Sequence, residues 1–245
     1  MISALENVLL KNQPDFHPVV HFNAFTEKIT AINLSKSNTE LTEEIFSNTQ
    51  SFSTYIDAAR EKANAKFLIG GYNELRVIYK RSLLFDEEKK YGIEKSVAEE
   101  PRRLHIGIDI WGEAGTKIFA PLGGMVHSFA FNDNFGDYGA TIILEHQLDT
   151  IVFHTLYGHL NLKDLAPLQE GKYIGRGELL AHFGSPKDNG NWPPHLHFQI
   201  IANMELKEGD YPGVCAEKES EKYLTNCPNP DFILNMMKYV AKSAI

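Results

Sequence analysis

The chain has 245 residues, 43% of them hydrophobic and 23% charged, with a formal net charge of -8. That length holds one good core, or one core with a small appendage. The acidic balance argues against a general nucleic-acid binder, and no apolar run reaches the roughly 18 residues of a membrane-spanning helix.

The chain opens MISALENVLLKNQPDFHPVV, where a short apolar stretch is broken by Glu6, Asn7 and Lys11. With no basic leader region and no small-residue cleavage site, no signal peptide is read and a cytoplasmic location is expected. An exported chain whose leader had been cleaved would read the same way. Residues 1–65 read as a helical N-terminal appendage. Ser37-Asn38-Thr39-Glu40 has the form of a capping box opening a short helix. Phe52, Tyr55, Ile56 and Ala59 recur at helical spacing up to Ala65. Such an appendage packs on the core, and a plug over a cleft is its alternative role.

Residues 66–103 read as a strand and linker. Gly70-Gly71 is a break, after which Leu75, Val77 and Tyr79 alternate with Arg76, Ile78 and Lys80 as on a strand. Glu74 and Arg76 then belong to a solvated strand face, with lining of a groove as the alternative. Residues 86–103, charged and containing Pro101, read as a loop. Residues 104–201 form the core: short strands at Lys117–Ala120, Gly124–Phe131, Ala140–Glu145, Ile151–Tyr157 and His195–Ile201, separated by Gly, Pro, Asn and Asp. That punctuation predicts a mainly β fold, an antiparallel sandwich or open barrel. Residues 202–245 are a C-terminal extension ending in a short amphipathic helix, Asp231–Ala241. Cys215 and Cys227 form no CxxC and are expected as two packed, reduced thiols.

The chemistry lies in His105-Ile106-Gly107-Ile108-Asp109, Gly158-His159-Leu160 and His195-Leu196-His197. Imidazoles and a carboxylate in otherwise apolar segments suggest a divalent metal, zinc above all. On a straight strand, His105 and Asp109 would lie about 13 Å apart, too far to share one ion. The segment must therefore bend at Gly107 or turn back at Asp109. His195 and His197 share a strand face at roughly 7 Å, so one can bind the ion while the other reaches substrate. Pro193-Pro194 fixes the entry to that strand and removes local amide donors. His17, His21, His127, His146, His154 and His182 have no such setting. His154 falls on the opposite face from His159 by parity. Trp111 is expected to pack, and Asp188, Asn189 and Asn191 to form a solvated turn, with hydrogen bonds to a peptide backbone as the alternative.

These residues, in this order, resemble the lysostaphin/LytM-type zinc metalloendopeptidases. The likeness covers about residues 104–201 and includes GTKIFAPLGGMV, Tyr138-Gly139, Leu156-Tyr157-Gly158-His159-Leu160 and the glycines 171–177. It implies a peptidase core with Zn2+ held by His105, Asp109 and His197, and with His159 and His195 as catalytic, non-ligand histidines. It further implies hydrolysis of an amide in a peptide or peptidoglycan fragment. One of His159 and His195 would take a proton from the attacking water while the other holds the oxyanion or protonates the leaving amine. Two other classes stay open: a non-catalytic metal- or peptide-binding scaffold or regulatory module, and a module of a larger intracellular enzyme acting on a non-wall amide.

Overall fold

In the computed structural model, which describes residues 2–86 and 100–241, β-strands dominate. Three helices precede the core: α1 (Ala4–Asn12), α2 (Glu43–Ser47) and α3 (Thr49–Lys62). Between and after them come β1 (Ile29–Ala31), β2 (Phe67–Gly70) and β3 (Glu74–Leu75). The core then runs through β4 (Leu104–His105), β5 (Ile108–Trp111), β6 (Lys117–Phe119), β7 (Gly124–Asn132), β8 (Gly139–Leu148) and β9 (Ile151–Leu160). It continues with β10 (Tyr173–Ile174), β11 (Leu179–His182), β12 (His195–Ile201) and β13 (Val214–Cys215). The chain closes with α4 (Ser220–Asn226), α5 (Asp231–Leu234) and β14 (Val240–Ala241).

Among the described residues, one nine-stranded sheet has the order β10-β7-β8-β9-β12-β5-β2-β1-β14. From β10 to β2 every pairing is antiparallel; β1 and β14 extend the edge in parallel. β6 and β11 pair separately, as do β3, β4 and β13. Alternation on β12 sorts its side chains. Leu196, Phe198 and Ile200 enter the main apolar core, each contributing roughly 1.5–3 kcal/mol by burial. His195, His197 and Gln199 point to the other face, and all three are buried. Phe52 of α3 packs edge-on to Trp111 and Trp192.

The mainly antiparallel β core, the N-terminal helices and the short C-terminal helix agree with the sequence pattern, but four local readings differ. The capping box at Ser37–Glu40 does not open a helix. Asn38 Oδ1 instead accepts the Glu40 amide within a turn, and α2 starts after Thr42. A capping box does form at Ser3 and Glu6, ahead of α1. The strand read from Leu75 to Tyr79 is only β3, followed by a 3-10 turn at Ile78–Arg81. Its polarity is inverted: Leu75 is 40% exposed and Arg76 only 2%. The C-terminal helix stops at Leu234, because Asn235 adopts a left-handed conformation that ends it. The loop read over 86–103 falls mostly outside the described residues. Cys215 and Cys227 are free and buried, and burial pushes both thiols up to about 12. No helix among the described residues is long and apolar enough to cross a membrane.

Candidate metal centre

The bend demanded of His105–Asp109 is present. β4 ends at His105 and β5 begins at Ile108, so Ile106-Gly107 interrupts the strand. The break returns Asp109 towards His105, leaving His105 Nε2 3.3 Å from Asp109 Oδ1. Asp109 pairs with His197 across β5 and β12, and His197 with Gly158 across β12 and β9. Gly107 is required by contact, since a Cβ there would lie 2.3 Å from the His197 ring.

Three ligand-type atoms converge. His105 Nε2 is 2.9 Å from His197 Nδ1, which is 3.0 Å from Asp109 Oδ1. All three residues are buried, and among the described residues theirs is the group whose ligand atoms lie within 4.8 Å of one another. Tetrahedral ligands held at about 2.1 Å from zinc stand about 3.4 Å apart, close to these separations.

Each imidazole is oriented by an acceptor on its outer nitrogen. His105 Nδ1 donates to Gly71 O at 2.8 Å, and His197 Nε2 to Gln199 Oε1 at 2.9 Å. Gln199 is itself held by its Nε2, which donates to Pro212 O. His159 Nδ1 donates to Asn189 O, and His195 Nδ1 to Pro193 O. A neutral imidazole that donates from one nitrogen accepts at the other. Where those outer nitrogens donate, His105 Nε2, His197 Nδ1 and Asp109 Oδ1 turn three lone pairs towards one another, at distances that a shared proton or a cation must bridge. Such a buried group is repulsive until it is bridged, so these residues fit a metal ion.

The electrostatics agree. Burial pushes His105 down to about 4, reinforced by the Arg76 charge. Burial opposes ionisation of Asp109, but the Arg76 guanidinium beside it favours the charged form, and its carboxyl lies well below the usual range. Burial likewise lowers His159, and pushes His195 down to about 4. Neither ring therefore carries a proton charge near pH 7.

His159 and His195 stand beside the trio with ring centroids 4.0 Å apart. Trp111 stacks on His195 at 3.9 Å, which fixes that ring in place. His159 reaches the site through a β-bulge: between the pairs Ala140–Leu160 and Ile142–Tyr157, β9 carries one residue more than β8. At the bulge His159 takes φ +64. The same bulge overturns the parity argument for His154. Ile201 pairs with His154, so His154 lies on the sheet face of His197 and Gln199, two pairs further along. It stays outside the cluster, 3.5 Å from Glu145 Oε2.

A cavity of about 440 Å³ opens over these residues. Its lining includes His159, His195, Tyr138, Trp192, Tyr79 and Phe85; among the described residues none before Arg76 takes part, so α1, α2 and α3 do not plug it. Asn189 lies in a turn but is buried rather than solvated, with its Nδ2 donating to Gly184 O and Trp192 O.

Several positioning groups escaped the sequence reading. Gln199 was legible in principle, since it stands two residues after His197 on the same strand face. Asn189 O and Gly71 O are backbone groups with no sequence signal of their own, and Tyr138, whose hydroxyl is 3.4 Å from His197 Nε2, stood only in the Tyr138-Gly139 match. Arg76, read as solvated, is instead buried with its Nη1 donating to Asp109 Oδ2 at 2.5 Å.

Residues 103–208 match the family model described as peptidase family M23. Among solved structures, the chain is similar to the catalytic domain of the antimicrobial peptidase lysostaphin from Staphylococcus simulans. Identity there is 21% over 51% of this chain and 81% of that one, with a TM-score of 0.36. A zinc-containing peptidase from Vibrio cholerae is 26% identical over 41% of this chain and 28% of its own, with a TM-score of 0.32. The catalytic domain of a mutant of the prophage-encoded M23 protein EnpA from Enterococcus faecalis is 17% identical. That match covers 49% of this chain and 85% of the other, with a TM-score of 0.34. No curated protein matches the chain.

Proposed function

We propose that this chain, a member of peptidase family M23 through residues 103–208, is a zinc-dependent endopeptidase that hydrolyses a peptide amide, with peptidoglycan-type peptides as the substrate class. The observation that carries this reading is the convergence of His105 Nε2, His197 Nδ1 and Asp109 Oδ1, three acceptors whose outer partners leave them facing inward. They are the ligands in this reading, and a zinc ion among them supplies Lewis acidity that polarises a carbonyl and acidifies water.

The remaining chemistry belongs to the chain itself. His159 and His195 keep Nε2 unprotonated, because Asn189 O and Pro193 O hold the proton on Nδ1 and burial disfavours the imidazolium. One takes the proton of the attacking water at Nε2. The other steadies the developing oxyanion or returns the proton to the leaving amine. A cavity of about 440 Å³ admits a few residues of peptide and limits the water around the reacting bond.

Metal analysis followed by hydrolysis of a panel of linear and cross-linked peptides tests the reading. One zinc per chain and chelator-sensitive cleavage are expected. Cleavage untouched by complete zinc removal would reject the mechanism, and stoichiometric zinc without cleavage of any peptide would leave a metal-binding scaffold.

A further inference from the structure

The segment upstream of residues 103–208 contributes directly to the cluster. Arg76 is 2% exposed, and its guanidinium is gripped on several sides. Nη1 donates to Asp109 Oδ2 at 2.5 Å, Nε to Glu74 Oε2 at 2.8 Å and Nη2 to Gly70 O at 3.2 Å. Glu74 is anchored in turn, its Oε1 accepting the Leu34 amide. The fit is close on the remaining side: a Cβ at Gly71 would sit 1.7 Å from Arg76 Nη2. The carbonyl of that same Gly71 sets the tautomer of His105.

The two oxygens of Asp109 are thereby divided. Oδ1 faces His105 and His197, while Oδ2 is bound by Arg76. The division has a chemical consequence. A carboxylate can give one oxygen or two to a metal, and a catalytic zinc site needs three protein ligands with one position left open. A second oxygen from Asp109 would occupy that position. Arginine suits the task because its planar fork grips two carboxylates at fixed angles, which a lysine ammonium cannot do.

We propose that Arg76 is a positioning residue that holds Asp109 Oδ2 away from the ion, so that Asp109 ligates through Oδ1 alone and a coordination position stays free. The proposal rests on the zinc reading above. A buried ion pair with a purely architectural role would show the same contacts, so the test must read the coordination sphere rather than stability.

Cobalt(II) substituted for zinc provides that readout, because four-coordinate cobalt has intense visible d–d bands and five-coordinate cobalt weak ones. The intact wild-type chain is expected to show the intense bands. Arg76→Gln, checked for folding by circular dichroism, should lose several-fold of that intensity as Oδ2 joins the ion. Arg76→Lys should fall between the two, since an ammonium can hold Oδ2 but not Oδ2 and Glu74 together. Wild-type-like bands in a folded Arg76→Gln variant overturn the proposal. Should that variant not fold, Arg76→Met, which fills similar space without a donor, decides by the same measure, and wild-type bands there overturn it. Collapse of both variants makes Arg76 a folding residue and overturns it as well. Failure of the wild-type chain to take up either cobalt or zinc strikes the zinc reading itself, which separates the two failures.

Discussion

His105, His159, His195 and His197, which converge from β4, β9 and β12, can be set against His127, His146 and His154 on β7, β8 and β9. The first four donate outward, to Gly71 O, Asn189 O, Pro193 O and Gln199 Oε1, and keep their other nitrogens free towards a common space. In the second group the partners are local, and His154 Nδ1 is buried with no hydrogen-bond partner among the described residues. Gly123 O and Thr155 Oγ1 take both nitrogens of His146, Ser128 Oγ takes His127 Nδ1, and His154 leans on the half-exposed Glu145. Burial does not separate the groups, since His146 is as deeply enclosed as His105. Direction does. A histidine becomes a ligand candidate when its outer nitrogen is satisfied by a fixed acceptor and its inner one meets other acceptors.

Variants that remove one member of each group break or sharpen that contrast. His197→Ala should cost the most: the chain is expected to lose most of its zinc on dialysis, because a three-ligand site depends on each ligand. Stoichiometric zinc in that variant would remove His197 from the set. His159→Ala should keep zinc while peptide hydrolysis slows by about 10²–10⁴-fold, the usual worth of a general acid or base. An unchanged rate would take His159 out of the mechanism.

The third expectation concerns pH and spans both groups. In the metal-free chain His105, His195 and His146 have folded-state values of about 4, against an ordinary 6.5, chiefly through burial. Above the unfolded value neither state binds a proton, so the stability contribution is complete. As pH falls from 6.5 towards 4 the unfolded chain takes up protons that the folded chain refuses, and stability is lost by up to a few kcal/mol per group. Urea denaturation of the metal-free chain between pH 7.5 and 4 measures this. His146→Gln should flatten that slope by about one proton without changing zinc uptake; an unaltered slope would show that His146 is not among the groups responsible. His154→Gln should matter least, with zinc content and rate as in the wild type and stability changed by about 1 kcal/mol. A change in zinc content there would dissolve the boundary between the groups.

Much of the core was legible because its signals are local. Period-two alternation located Gly124–Phe131, Ile151–Tyr157 and His195–Ile201 to within a few residues, and stereochemistry alone required the chain to break between His105 and Asp109. Where the reading failed, long-range contacts had overridden local preference. Leu75 and Arg76 exchanged their expected sides because Asp109, 33 positions away, offered the arginine a buried partner. β1 escaped notice because its three residues are stabilised by parallel pairing to β2 and β14, neither adjacent in sequence. His154 was assigned the wrong face because parity counts residues, and a bulge at His159 inserts one.

Taken alone, the order of residues determined which side chains could carry chemistry and which strands would hold them, because ligand type and hydrophobic alternation are written at short range. Only the folded chain decided which nitrogen of each imidazole turns inward, which oxygen of Asp109 stays free and that an arginine from outside the matched family segment guards the other. Those choices depend on carbonyls and charges brought together from Gly71, Asn189, Pro193 and Arg76, groups whose distances no local pattern encodes.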